Sequence, residues 1–486
     1  MSTNTTTRDH RWLILAILGI AQLMVVLDAT VVNVALPSAQ HALGFSDDSR
    51  QWIVTAYALA FGSLLLLGGK LSDLFGRKWT FIIGLGGFAI ASAAGGAAQS
   101  FMMLAVARAL QGAFGALLAP AALSLLTTTF TDPAERNRAF GIYGAIAGSG
   151  ASVGLLLGGV LTEYLSWRYC MFVNLAFALV AIAGGLVLLA HHVHEERPRI
   201  DVPGAATITL GLFALVYGFS HAQTTSWGDA MTLAFLAAGV VLLGVFVAIE
   251  RRVAEPLLPL RVVTDRNRGA SFAAMLLAAV AMFGVFLFLT YYLQQSRGYS
   301  PVTTGLAFLP MTGLVMIVAV VATTQLLDRI GPRVLVAVGM LCGAGGMLLL
   351  AQIGLHSSYV GGILPGLLLM AVGLGLIFAT AMNMATLDVQ DDDSGVASAT
   401  VNACQQVGGA LGTALLSTLA ASATTSYLHG RVPTAQLVAQ APIHGYAVAF
   451  YVAAAIFAAG AIVTGMLYRP GVPEVDPAAE PVLVGG

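Results

Sequence analysis

Apolar residues along this chain come in blocks of roughly twenty, not in the narrow stripes of helices that face water on one side. The blocks run over 12–36, 52–69, 79–98, 101–126, 139–162, 169–190, 203–221, 230–249, 269–293, 302–326, 333–353, 359–386, 396–421 and 446–468. A helix of about 20 residues is about 30 Å long, the thickness of a bilayer core. The pattern therefore predicts fourteen membrane-spanning helices. Only Gln99 and Ser100 separate the third block from the fourth, which predicts a tight turn there. Residues 1–11 are polar, and the stretch from Trp12 to Pro37 is too long for a cleavable signal, so it is expected to stay as the first span. Residues 422–445 are expected to form a long polar loop outside the membrane.

Composition sharpens this to a membrane protein. Hydrophobic residues make up 58% of the 486 positions and charged residues 9%, against about 25% charged in a soluble domain. The net charge of −1 gives no reason to expect a nucleic-acid partner. Cys170, Cys342 and Cys404 lie inside apolar blocks and read as small core residues with no disulfide or metal spacing. The Lys and Arg residues set the orientation. With both termini in the cytoplasm, seventeen fall in cytoplasmic loops and only Arg50, Arg168, Arg297 and Arg431 outside, with Arg108 left in a span.

Two loops echo each other. Ser72-Asp73-Leu74-Phe75-Gly76-Arg77-Lys78 is answered by Leu327-Asp328-Arg329-Ile330-Gly331-Pro332-Arg333, with Asp73 and Asp328 lying 255 residues apart. Six blocks precede the charged segment from His191 to Asp201, six follow the basic stretch 250–268, and two lie between. Duplication of a six-helix unit is the trace left by transporters that rock two halves about a central site. The expected organisation is a six-helix bundle over 1–200, two additional helices over 201–265, a second six-helix bundle over 266–470 and a cytoplasmic tail over 471–486.

Three motifs resemble one family. They are Leu27-Asp28-Ala29-Thr30-Val31-Val32-Asn33-Val34-Ala35-Leu36-Pro37 in the first helix, Gly69-Lys70-Leu71-Ser72-Asp73-Leu74-Phe75-Gly76-Arg77-Lys78 after the second, and Arg108-Ala109-Leu110-Gln111-Gly112-Ala113-Phe114-Gly115 in the fourth. Together they are similar to the fourteen-helix drug:proton antiporter branch of the major facilitator superfamily, over nearly the whole chain. The fifth-helix motif of that family departs here: Gly154-Leu155-Leu156-Leu157-Gly158-Gly159 lacks the usual proline, although Gly150, Gly154, Gly158 and Gly159 keep the small residues that allow close helix packing. The resemblance implies an all-α polytopic membrane protein of the major facilitator fold, two six-helix bundles plus two linker helices. It implies export of small organic molecules (drugs, antibiotics, lipophilic or cationic compounds) by proton antiport with alternating access. It also implies a cytoplasmic gate formed by Gly69, Asp73, Gly76, Arg77 and Lys78, and a place in the bacterial cytoplasmic membrane. A narrow-substrate metabolite exporter, or an uptake symporter or facilitator of the same fold, stays open as the alternative.

Charges in the bilayer centre cost roughly 2.5–3.5 kcal/mol each on the insertion scale and so mark ion or substrate paths. Asp28 and Arg108 are such charges. By helix rise they lie ~13 Å and ~10 Å below the outer surface, at similar depth in one six-helix unit. Asp28 is expected to exchange a proton or bind a cationic substrate while Arg108 shifts its affinity, burial and a neighbouring cation acting on it in opposite directions. A fixed pair that merely neutralises two buried charges is the alternative. Gln111 shares the Arg108 face and is a cavity candidate, whereas Gly112 and Gly115 are expected to pack. Asn33, off the Asp28 face, is expected to bond a neighbouring helix, and it is also a candidate polar group of the cavity. Asn383, Asn402, Gln405 and Gln406 are further candidates for hydrogen-bonding a substrate in the second half, or for joining helices. No acidic residue lies deep in that half, which favours a low proton stoichiometry.

His191, His192, His194 and Glu195 are expected to be a solvated loop and not a metal site. Phe286, Phe288, Tyr291 and Tyr292 suit core, lipid contact or the greasy wall of a promiscuous site. No phosphate-binding Gly-x-x-x-x-Gly-Lys-Ser/Thr loop is present, which argues against ATP-driven export, and no catalytic constellation suggests an enzyme. The expected partners are a small-molecule substrate, protons and the lipid bilayer. A monomer is expected, with no cofactor or metal and the proton gradient as energy source.

Overall fold

The structure is a computed structural model describing residues 6–130, 132–189, 201–253, 256–387, 391–432 and 434–472. The side chains of Asp73, Asp391, Asp392 and Asp393, all of His191, His192, His194, Glu195 and Asp388, and residues 473–486 of the tail lie outside the described residues.

All regular structure among the described residues is helical. In chain order the helices are α1 (Thr6–Leu43), α2 (Asp47–Phe75), α3 (Arg77–Gly96), α4 (Phe101–Thr129), α5 (Pro133–Tyr164), α6 (Tyr169–Leu188), α7 (Val202–Thr224) and α8 (Ala230–Glu250). There follow the short α9 (Leu260–Thr264), α10 (Arg266–Tyr291), α11 (Pro301–Val321), the one-turn α12 (Leu327–Ile330), α13 (Pro332–Leu350), α14 (Leu364–Thr386), α15 (Asp391–Leu428) and α16 (Ala435–Leu467). Single π-helical turns extend α10 over Tyr292–Ser296 and α11 over Ala322–Leu326, and one precedes α14 over Tyr359–Ile363. Among the described residues, twelve helical stretches are long and apolar enough to cross a bilayer. The long helices beyond those twelve are α2 and α5, of 29 and 32 residues, and both carry charges near their ends.

Local sequence explains the helix boundaries. Ser100, Asp132, Asp201, Asp229, Ser300 and Thr434 each accept a hydrogen bond from a backbone N–H of the helix that follows, satisfying a donor left free in the first turn. The polar loop expected over 422–445 is mostly helix, because α15 continues to Leu428 and α16 starts at Ala435. Hydropathy marks where lipid begins, not where a helix must stop. The repeat is visible in the backbone: Gly76 (φ 86°) and Gly331 (φ 81°) make equivalent reversals after α2 and α12. Gly44 (φ 66°) and Gly298 (φ 67°) do so at the other end of the molecule. These positive φ values are open to glycine at little steric cost.

Helix α1 packs on α5 and α6, α2 on α4, and α3 on α4 and α6. A second group joins α10 to α15 and α16, α13 to α14 and α16, and α11 to α14. The groups meet along two seams, α2 against α15 and α5 against α11, while α7 lies against both α2 and α15 and carries α8 on its far side. Small residues set these distances. A Cβ on Gly112 would collide with the Tyr57 carbonyl of α2 and lie 3.0 Å from the Phe61 nitrogen. On α5, Gly150 faces Val26 and Leu23, Gly154 faces Thr30, and Gly158 faces Val31 of α1, whereas Gly159 faces Pro301 and Val302 of α11.

Candidate functional site

Asp28 sits in the middle of α1 and is completely buried. Three further helices of the first group, α3, α4 and α6, converge around it. From α4, Arg108 Nη1 donates to Asp28 Oδ2 at 2.5 Å and to Gln111 Oε1 at 2.9 Å. Gln111, one turn further on the same helix face, donates from Nε2 to Asp28 Oδ1 at 2.9 Å. From α6, Asn174 Nδ2 donates to the same Oδ1 at 2.7 Å. From α3, Ser92 Oγ accepts from Gln111 (3.0 Å) and Asn174 (2.9 Å) and donates to the Met171 carbonyl of α6 at 2.8 Å.

Ser92 thereby uses its one hydrogen and both lone pairs, the full capacity of a hydroxyl. Every contact to Asp28 comes from a donor, the pattern that an ionised carboxylate accepts. The Arg108 guanidinium also donates from Nε to the Ile53 carbonyl of α2 at 3.2 Å, and its Cζ lies 4.3 Å from the centre of the Tyr57 ring. Desolvating a charge costs several kcal/mol, and only a close, fully bonded counter-charge offsets it. Two groups around the cluster keep unused capacity: Asn174 Oδ1 and the Tyr57 hydroxyl are buried without partners.

A small apolar cavity lined by Val32, Leu36, Ile53, Leu104, Trp167 and Met171 lies between Asp28 and the end bearing Gly44. At that same end the two groups of helices are tied together. Tyr291 Oη donates to Gln40 at 3.1 Å, Gln294 Nε2 donates to the Val34 carbonyl at 3.1 Å, and Val302 N donates to Glu163 at 3.0 Å. The Arg50 guanidinium lies 3.7 Å from the centre of the Tyr291 ring. The α2–α15 seam closes at Gly62, where a Cβ would lie 3.0 Å from Gln406 and Val407.

The other candidate residues disperse. Asn33 is buried but donates to the Ala29 carbonyl of its own helix at 3.3 Å, so it joins no second helix through that bond. A polar side chain in an apolar setting takes the nearest acceptor, and the carbonyl one turn back is always within reach. On α15, Asn402, Gln405 and Gln406 are part-buried, and Gln405 donates to the Met275 sulfur of α10 at 3.7 Å. Asn383 is exposed on α14.

In the expected gate motif, Gly76 makes the turn and Arg77 is part-buried with its Nε unpartnered. A Cβ on Gly69 would lie 3.8 Å from Pro120. Lys78 donates to the Leu186 (3.0 Å) and Leu189 (2.6 Å) carbonyls, closing the end of α6. Arg266 does the same for α16, through the Leu467 and Met466 carbonyls at 2.6 and 2.7 Å. A cation at a helix C-terminus satisfies carbonyls and complements the dipole.

Sequence reasoning missed Ser92, Asn174 and Tyr57. Asn174 carried a signal, being the lone amide in an otherwise apolar span; Ser92, small and common in close-packed helices, carried none. Among the described residues no group of three or more His, Cys, Asp or Glu side chains is placed to hold a metal.

Residues 18–413 match the family profile of the Major Facilitator Superfamily. The chain is 47% identical over 462 residues to the puromycin resistance protein pur8 of Streptomyces alboniger, covering 94% of this chain and 91% of that one. It is 39% identical to the cephamycin export protein CmcT of Amycolatopsis lactamdurans (83% and 84% covered) and 36% identical to the tetracenomycin C resistance and export protein of Streptomyces glaucescens (85% and 77%). Among solved structures, a bacterial homologue of the human lysosomal transporter Spinster, in an inward-facing and unoccupied conformation, superposes with a TM-score of 0.65 at 14% identity, covering 96% of this chain and 98% of that one. The helical architecture and these matches agree, and the chain belongs to the Major Facilitator Superfamily.

Proposed function

We propose that this protein exports small organic molecules of the antibiotic kind from a bacterial cell in exchange for protons. The observation that carries the reading is the Asp28 cluster: a carboxylate fully withdrawn from solvent, held by Arg108, Gln111 and Asn174, in the middle of a membrane helix. A buried ion pair adds little stability compared with apolar packing, so its presence deep in a span favours a transport role. The names of the relatives, resistance and export proteins for puromycin, cephamycin and tetracenomycin C, support the direction and the kind of cargo.

On this reading the chain crosses the membrane fourteen times as a monomer, with both termini cytoplasmic and two six-helix halves joined by α7 and α8. The end bearing Gly44 then faces outward. Its ties between α1 and α10 and between α5 and α11 close the outer side. In this state Asp28 is ionised and paired with Arg108. Reorientation opens the apolar seal around Val32 and Trp167, Asp28 takes a proton from outside, and Arg108 is freed. A proton-motive force of about 180 mV supplies about 4 kcal/mol per proton, which sustains roughly a thousandfold gradient of a neutral cargo.

The test is accumulation of fluorescent drugs and dyes in efflux-deficient bacteria expressing the chain. Accumulation is expected to fall, and to return to control with a protonophore or with Asp28→Asn. Export that survives both would overturn proton coupling through Asp28.

A further inference from the structure

Away from that cluster, two acids meet where the connector between the halves begins and ends. Asp201 caps the first turn of α7, and Glu250 is the last residue of α8; each is only 4% exposed. One oxygen of each is engaged by the backbone: Asp201 Oδ1 accepts from Gly204 N at 2.8 Å, and Glu250 Oε2 accepts from Leu258 N at 2.9 Å. The remaining oxygens, Asp201 Oδ2 and Glu250 Oε1, are buried with no partner. They flank the same space above Gly204, where an added Cβ would collide with the first and lie 3.0 Å from the second.

Arg251 and Arg252, on the turn after Glu250, are exposed, and the segment beyond contributes backbone and the apolar Leu257 and Leu258. Among the described residues no cation is paired with either acid. Two neighbouring carboxylates, buried and with no cation paired to them among the described residues, repel each other strongly when both are charged. A metal ion is a poor answer, since calcium takes 6–8 oxygen ligands and magnesium near-ideal octahedral geometry. One proton is the smallest species that satisfies both orphaned oxygens, turning a repulsion into an O–H···O bond.

We propose that Asp201 and Glu250 hold a single proton between them, as a proton-binding clasp that joins the first turn of α7 to the last turn of α8. Through Leu258 N the clasp also reaches the segment that leads by α9 into α10, the first long helix of the second group. The site is separate from Asp28 and does not depend on the transport reading. The proton comes from water and returns to it, so the clasp registers the pH on its own side of the membrane.

Infrared spectroscopy of the full chain in lipid nanodiscs tests this. At about pH 6, above the ordinary carboxylate range of about 4, a deuterium-sensitive protonated-carboxyl band is expected in the wild type and in Asp28→Asn. It should be lost in Glu250→Gln and in Asp201→Asn, the second of which keeps the helix cap because asparagine caps as well as aspartate. It should also be lost from the wild type as pH is raised. A band that persists in both variants, or no band in the wild type at that pH, overturns the proposal. So does a carboxylate stretch in the wild type that moves with added sodium and not with pH, which would make the pair a cation site.

Discussion

Replacing Arg108 by leucine separates a transport role for the Asp28 pair from a structural one. Arg108 is 1% exposed and spends its donors on Asp28, Gln111 and the Ile53 carbonyl. Arg108→Leu leaves the Asp28 carboxylate buried with two neutral donors, and removal of one partner of a buried pair costs about 3–5 kcal/mol. Asp28→Asn strands the guanidinium and costs a similar amount by the same reasoning. The double variant buries neither charge; what it loses are hydrogen bonds of about 0.5–1.5 kcal/mol each. The single costs should therefore exceed the double cost by about 3 kcal/mol or more. The assay is equilibrium unfolding of the four purified proteins in one detergent, paired with dye export from cells. If the single costs add to the double within about 0.5 kcal/mol, the two sites are independent and the reading of the cluster is wrong. If they couple as stated and the refolded double variant also exports uphill, the pair is a structural neutralisation and carries no proton.

Four further outcomes follow from the geometry. Ser92→Ala removes the acceptor shared by Gln111 and Asn174 and should cost about 1–3 kcal/mol, the penalty for buried donors left unsatisfied, read as a lower melting temperature. Gly112→Ala should lose about 1–3 kcal/mol by overpacking, because its Cβ meets the Tyr57 carbonyl. Gly69→Ala, with Pro120 at 3.8 Å, should be neutral or gain up to about 1 kcal/mol of helix propensity; comparing folded yield of the two variants checks both. Lys78→Met removes the donor to the Leu186 and Leu189 carbonyls and should cost about 0.3–1 kcal/mol, with export largely kept. A collapse of export at normal melting temperature would instead return Lys78 to a gating role.

The sequence alone determined what depends on one residue and its neighbours along the chain. Blocks of apolar residues set the helices because backbone groups in lipid must bond within their own segment. Asp28, Arg108 and Gln111 stood out because charge and amide are costly in such blocks. The echo of Asp73 in Asp328 marked two similar loops, and the backbone added a second pair of matching turns, at Gly44 and Gly298, that no side-chain chemistry marks.

Tertiary structure decided the partners. Ser92 and Asn174 join Asp28 only because α3 and α6 cross α1 and α4 at that depth, and spacing along one helix says nothing of what crosses it. Asn33, in the same motif as Asp28, turns to its own helix, while Gly159, in the same motif as Gly158, meets the opposite group of helices. Nothing along the chain pairs Asp201 with Glu250; the α7–α8 hairpin brings their free oxygens to the same space beside Gly204. Local pattern fixes which segments enter the membrane and at what depth each polar group sits; only the packing of one helix against another fixes which polar groups at that depth meet.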